Sequence, residues 1–127
     1  MLFDSNIIIY AQKPEHGELR QLIARNRAAV SAITCLEVLG YHRLAEEDRK
    51  DFEALFAATK VLPISDDVLR QAIKLRQAKK MSLGDALIAA TAVVYDETLV
   101  TRNAQDFAWV TGLKLLNPFE KTNGPPN

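Results

Sequence analysis

Cysteine is almost absent: Cys35 is the only one in 127 residues. That excludes an internal disulfide and a cysteine-rich metal site, and leaves Cys35, in an apolar run, as a small core residue. Histidine is scarce as well. His16 and His42 have no ligand partner at helical spacing and read as surface or partly buried structural residues. No apolar run reaches the roughly 20 residues that span a bilayer. The first residues carry no basic segment followed by a cleavage site, so the expectation is a cytoplasmic protein without membrane association. A surplus of one charge is missing too, since 16 basic and 16 acidic side chains cancel. Polyanion binders usually carry excess positive charge, so any nucleic-acid contact has to come from a local basic patch. Aromatic residues are only 7% of the chain. Phe107 and Trp109 are not interleaved with basic residues and read as core or interface packing, not as a stacking platform.

What is present fits one compact domain. Hydrophobic residues make up 48% of the chain, enough for a real core at this length. There is no internal repeat. The end of the chain, "EKTNGPPN", is rich in Pro, Gly and Asn, so a single domain over 1–118 with a flexible tail over 119–127 is expected.

Short apolar runs alternate with helical patterns. "MLF", "AAVSAI", "VLPI", "TLVT" and "LKLLNP" read as strands, with Pro63 marking an edge or a strand end. Between them, "SNIIIYAQ", "GELRQLIARN", "TCLEVLGYHRL", "AEEDRKDFEALFAAT" and "SDDVLRQAIKLRQAKK" read as helices. Ser65 is an N-cap for the last of these. "SLGDALIAATAVVY" is apolar almost all round and reads as a buried central helix, and "AQDFAWV" as a helical turn. Strands separated by helices give an α/β fold, an α/β/α sandwich around a mostly parallel sheet. In such sheets, sites form beyond the strand carboxyl ends where the strand order reverses.

Four acids mark that region. Asp4 follows the first strand run, Glu37 lies past the second and Asp106 past the fourth. Asp85 stands in the first turn of the apolar helix. One reading is structural. Thr34-x-x-Glu37, Ser82-x-x-Asp85 and Asn103-x-x-Asp106 all have capping-box spacing, and Asp4 can itself be an N-cap. The other is chemical. The apolar flanks of Asp4, Glu37 and Asp85 draw those carboxylates inward. Two carboxylates about 4 Å apart repel by about 4 kcal/mol at an effective dielectric near 20. Such a cluster takes up protons or binds a hard cation such as Mg²⁺ or Mn²⁺. Spacing alone leaves both readings open.

The blocks "MLFDSN", "AITCLEVLG", "SLGDALIAATAV" and "LVTRNAQDF…GLKLLNP" resemble, in order, the motif blocks of PIN-domain ribonucleases, above all the VapC-type toxins of bacterial toxin–antitoxin pairs. The resemblance covers Met1 to about Pro118. Each block alone is weak; four in order, each with its acid, are specific. Ser5 stands where many relatives have Thr, which keeps the hydroxyl.

The resemblance implies an α/β/α sandwich in which Asp4, Glu37, Asp85 and Asp106 form a catalytic pocket for one or two Mg²⁺ or Mn²⁺ ions. Metal-activated water would attack an RNA phosphodiester in line, leaving 5′-phosphate and 3′-hydroxyl ends. On this basis Asp4 and Asp85 are metal ligands. Asp106 is a ligand or holds a metal-bound water, and Glu37 positions the water or ligates a second ion. Asn6 and Ser5 match the polar positions that orient a carboxylate or substrate, and Thr101 and Asn103 match polar positions at the pocket edge; turn and cap chemistry is the alternative for all four. Arg102 beside the pocket is a candidate RNA contact or a structural ion-pair partner, and Arg76, Lys79 and Lys80 are a candidate phosphate-contacting patch or a solvated helix end. The implied partners are an RNA substrate, a cognate antitoxin that places a basic side chain at the acids, and a second copy in a homodimer.

Rival functions fit less well. A haloacid-dehalogenase-like phosphatase wants an Asp where this chain has Asn6. A receiver domain wants an acidic pair at the first strand end and a Lys after the last strand, where Thr101 and Arg102 stand after the fourth. A housekeeping RNA-processing nuclease, or a non-catalytic binding domain that keeps the acids as caps, are the remaining alternatives.

Overall fold

The computed structural model describes residues 1–120. Strand β1 (Leu2–Phe3) passes through Asp4 into helix α1 (Ser5–Ala11). A 3₁₀ turn, Pro14–His16, leads to α2 (Gly17–Arg25), and β2 (Ala29–Ser31) runs straight into α3 (Ala32–Leu39). Helix α4 (Glu46–Ala57), β3 (Lys60–Leu62), α5 (Asp66–Ala78), α6 (Leu83–Val94), β4 (Thr98–Val100), α7 (Ala104–Phe107) and β5 (Lys114–Leu116) follow.

The strands pair in the order β3-β2-β1-β4-β5, and every pairing is parallel. Leu2 lies opposite Ala29 and Leu99, and Phe3 opposite Val100. Alternate strand residues feed two cores. Leu2, Ala29, Leu62 and Leu99 pack against α5, α6 and α7. Phe3, Val30 and Val100 pack against Ile7 and Ile8 of α1, Leu19 and Ile23 of α2, and Phe52 and Phe56 of α4. Both faces of the sheet are covered, so these strands read as unbroken apolar runs. The expected three-layer α/β/α sandwich is the fold observed. β3 is an edge strand and ends at Leu62, just before Pro63, so that proline marks both an edge and a strand end.

Several local expectations change. Ser65 and Ser82 do cap their helices, accepting from Val68 and Asp85 backbone N–H groups at 3.2 and 3.1 Å. Thr34 does not cap α3, because β2 turns into the helix earlier. Ser31 is the cap, accepting from the Ile33 N–H at 3.2 Å, and Thr34 is buried inside the helix. Asn103 precedes α7 without a side-chain capping bond. α3 stops at Gly40, so the helix expected across "TCLEVLGYHRL" is shorter. The tail expected over 119–127 begins with Phe119, which packs edge-to-face on Tyr10 and His16 at 5.7 and 5.5 Å between ring centres. Residues 121–127 lie outside the described part.

Candidate active site

The strand order reverses at β1. From there the chain builds outward to β2 and β3 on one side and to β4 and β5 on the other. A crevice opens beyond the carboxyl ends of β1 and β4 in such a sheet. Asp4 stands there, its backbone N–H bonded to the Val100 carbonyl at 3.0 Å. Its side chain is only 4% exposed.

Asp4 occupies the N-cap position of α1 but its carboxylate does not cap the helix. Oδ2 instead accepts from Thr101 Oγ1 at 2.8 Å. Thr101, directly after β4, is itself fully buried, and its Oγ1 accepts the Asn103 N–H at 3.1 Å. That incoming bond turns the Thr101 proton towards Asp4. The helix-cap reading of Asp4 therefore fails, and Thr101 orients one carboxylate oxygen.

Glu37 lies in the second turn of α3. Its Oε1 accepts from Ser5 Oγ at 2.7 Å, and Ser5 Oγ stands 3.1 Å from Thr34 Oγ1. The Glu37 side chain is exposed, unlike the inward placement its apolar flanks suggest. The reason is helical phase: Thr34 and Val38 face the core and Leu36 and Glu37 face out. Asp85 is half-buried in the first turn of α6, held by the Ser82 capping bond. Asp106 is exposed in α7.

The four carboxylates act on one another through space. Burial pushes the Asp4 carboxyl above its ordinary value; the Thr101 bond and the Ser5 backbone pull it back, and the charges of Asp85 and Glu37 push it up further. Burial raises Asp85 as well, against the Ser82 bond, and Asp106 adds to the rise. Among the described residues none of the four pairs with a Lys or Arg. The described residues also hold no three His, Cys, Asp or Glu side chains near enough to be a ready-made metal site. The donors fit a hard cation: carboxylate oxygens with their charge uncompensated, and hydroxyls that fix them.

The other candidate residues are dispersed. Asn6 is exposed on α1 and makes no side-chain hydrogen bond among the described residues, and Asn103 contributes its backbone N–H. Arg102 is exposed beside the crevice. In the basic stretch at the end of α5, Arg76 in the last turn donates through Nε to the Met81 carbonyl at 3.1 Å, and Lys79 just past the helix has its Nζ 5.6 Å from the Trp109 ring centre.

Gly84 was not among the residues singled out from the sequence. A methyl group there would stand 2.6 Å from Glu37 Oε2, so the bare glycine is what lets α6 lie against that carboxylate. The signal was present: glycine costs about 1 kcal/mol relative to alanine inside a helix, and a helix start otherwise well capped keeps one. Beside Glu37 a cavity of about 490 Å³ runs between α1, α3 and α4, with an apolar floor that includes Ile9, Val38 and Phe52 and with Lys13, Arg43 and Asp48 also in its lining.

Comparison with known proteins gives a consistent outcome. The PIN domain family model matches residues 1–112. Ribonuclease VapC10 of Mycobacterium tuberculosis is 35% identical over 122 residues, covering 90% of each chain. A toxin–antitoxin complex from Klebsiella pneumoniae is similar in structure with a TM-score of 0.74 and 31% identity, covering 94% of this chain and 98% of that one. VapBC2 from Rickettsia felis, bound to a DNA fragment from the promoter, shares the fold at a TM-score of 0.76 and 23% identity, covering 91% and 96%.

Proposed function

The chain belongs to the PIN-domain family, among the VapC-type ribonuclease toxins, and from that premise we propose that it hydrolyses RNA phosphodiester bonds using Mg²⁺ or Mn²⁺ held by Asp4, Asp85 and Asp106. The observation that carries this reading is Asp4: a buried carboxylate at the topological switch point, facing other acids and no cation of the protein. A structural acid so placed would raise the cost of folding with nothing in return. One or two divalent ions remove that cost, and when bound they acidify a water and offset charge on the phosphate oxygens.

The protein's own groups prepare the pocket. Thr101 holds one Asp4 oxygen and leaves the other for a ligand. Ser5 fixes Glu37, which orients the attacking water or a second ion. Asn6 and Asn103 are exposed and free to contact substrate in this reading. The partner is a cognate antitoxin: the groove that Glu37 helps line, with Ile9, Val38, Leu44 and Phe52 in its walls, suits a peptide segment whose basic side chain would neutralise the acids as a cation does. A homodimer is supported by Leu69, Ile73 and Leu83, which are about half exposed or more along a cavity of about 450 Å³ between α5 and α6. The reaction is placed in the cytoplasm, where RNA is available.

The purified full-length chain is expected to cleave labelled RNA in the presence of Mg²⁺ or Mn²⁺ and to leave 5′-phosphate ends. Expression is expected to arrest growth, with relief on co-expression of the cognate antitoxin. Intact RNA after incubation with either metal would overturn the assignment.

Gly84 supplies a test that leaves the acids in place. In Gly84→Ala the new methyl displaces the Glu37 carboxylate from Ser5, while α6 gains up to about 1 kcal/mol of helix propensity. Cleavage is expected to fall about tenfold, with a melting temperature equal to or above the parent. Unchanged cleavage would show that the Glu37 position does not matter.

A further inference from the structure

Arg102 is held in a way that no other cation of this chain is among the described residues. It follows Thr101 directly, and Thr101 holds the buried Asp4. Its guanidinium lies 5.4 Å from the centre of the Tyr10 ring and 4.9 Å from that of Phe119. The two rings meet edge to face at 5.7 Å, and His16 braces both, at 5.8 Å from Tyr10 and 5.5 Å from Phe119. The backbone is tied down too. Asn117 Nδ2 donates to the Arg102 carbonyl at 3.0 Å, and Asn117 Oδ1 accepts the Phe119 N–H at 2.9 Å. One side chain thus fixes both Arg102 and the ring that covers it. Asn117 and Phe119 both lie past the residues that the family model matches.

The clamp leaves the charge available. Arg102 is exposed and makes no ion pair among the described residues, whereas Arg49 and Arg70 are paired to acids on their own helices. Lys13 lies over the same ring system, its Nζ 5.3 Å from the Tyr10 centre. Two cations and three aromatic rings therefore meet around the residue that follows Thr101, in a chain whose formal net charge is zero.

We propose that Arg102 is an RNA-binding residue: its guanidinium, packed against Tyr10 and Phe119 one residue beyond Thr101, takes a backbone phosphate of single-stranded RNA, with Lys13 as the neighbouring contact. This rests on the ribonuclease reading. The strand is a polyanion and this chain, with a formal net charge of zero, has no general positive field to attract it, so a local exposed cation has to supply the contact. A planar guanidinium meets two phosphate oxygens at once. Stacking fixes it before the strand arrives, so little side-chain freedom is lost on binding.

The test uses the full-length chain and a labelled single-stranded RNA oligonucleotide. Arg102→Ala is expected to raise KM about tenfold with kcat within about twofold, and to make the salt dependence of binding shallower by about 0.7 in log–log slope. Phe119→Ala and Arg102→Lys keep a charge; both are expected to raise KM about threefold with the slope retained. Affinity for the same RNA in an Asp4→Asn background, where cleavage is disabled, should follow the same order. A parent chain that leaves RNA intact would overturn the ribonuclease reading and this one with it. Cleavage by the parent, with KM and salt slope unaltered in Arg102→Ala, would overturn the clamp alone. So would unaltered RNA binding combined with weaker capture of the antitoxin, which would move Arg102 to the protein interface.

Discussion

Replacing Asp4 by Asn is expected to reduce RNA cleavage by about a thousandfold or more, about 4 kcal/mol of lost transition-state stabilisation. Asparagine has the same shape and its amide oxygen still accepts the Thr101 hydroxyl, so the switch-point geometry survives. What disappears is the charge. The parent carboxylate is buried and crowded by Asp85 and Glu37, and both effects penalise its ionised form. The variant should therefore melt within a few degrees of the parent or above it, despite losing activity. Activity and melting measured on one preparation make the test: loss of both would signal misfolding, and loss of neither would remove Asp4 from the mechanism. Asp85→Asn is expected to act in the same direction on cleavage. Its effect on melting should be smaller, because Asp85 is only half-buried.

Chelation is expected to abolish cleavage, and Mg²⁺ or Mn²⁺ to restore it and to raise the melting temperature. An ion present at about 100 times its dissociation constant stabilises the folded state by about 2.7 kcal/mol, several degrees for a domain of this size. The pH dependence carries the diagnostic sign. Asp4 and Asp85 both have folded-state pKa values raised above the ordinary 3.8. Their contribution to stability is thus fully present below that ordinary value and is lost as pH rises through the folded value. Without metal, these two groups make the protein less stable as pH climbs out of the acid range. With metal the order reverses, because the ion needs the deprotonated carboxylates. Melting curves from about pH 4 to about pH 8 with and without Mg²⁺ should therefore diverge with rising pH. Asp4→Asn should shrink that divergence, which separates it from the titration of other groups. Parallel curves would argue against ion binding at these acids.

Much of the architecture was legible residue by residue. Apolar runs marked the strands, Ser65 and the Ser82-x-x-Asp85 spacing marked helix starts, and Pro63 marked the end of β3. These signals are local: a capping bond spans three residues, and a strand buried on both faces is apolar wherever it lies. The identities of the four acids were legible for the same reason, as carboxylates at element starts. Their roles were not. The spacing of Thr34 and Glu37 matched a capping box, yet β2 entered α3 at Ser31 and left Glu37 on the outer face, bonded to Ser5.

What only the tertiary structure decided lies between residues far apart in the chain. Thr101 reaches Asp4 across 97 positions because β4 pairs beside β1. Gly84 meets Glu37 because α6 packs against α3. Arg102 packs against both Tyr10 and Phe119 because the chain after β5 returns to α1. Periodicity and capping depend on neighbours a few residues away and so can be read from a string. The order of strands in a sheet is set by which buried faces fit together, and that order brings Thr101 to Asp4 and sets the stage on which α6 meets α3.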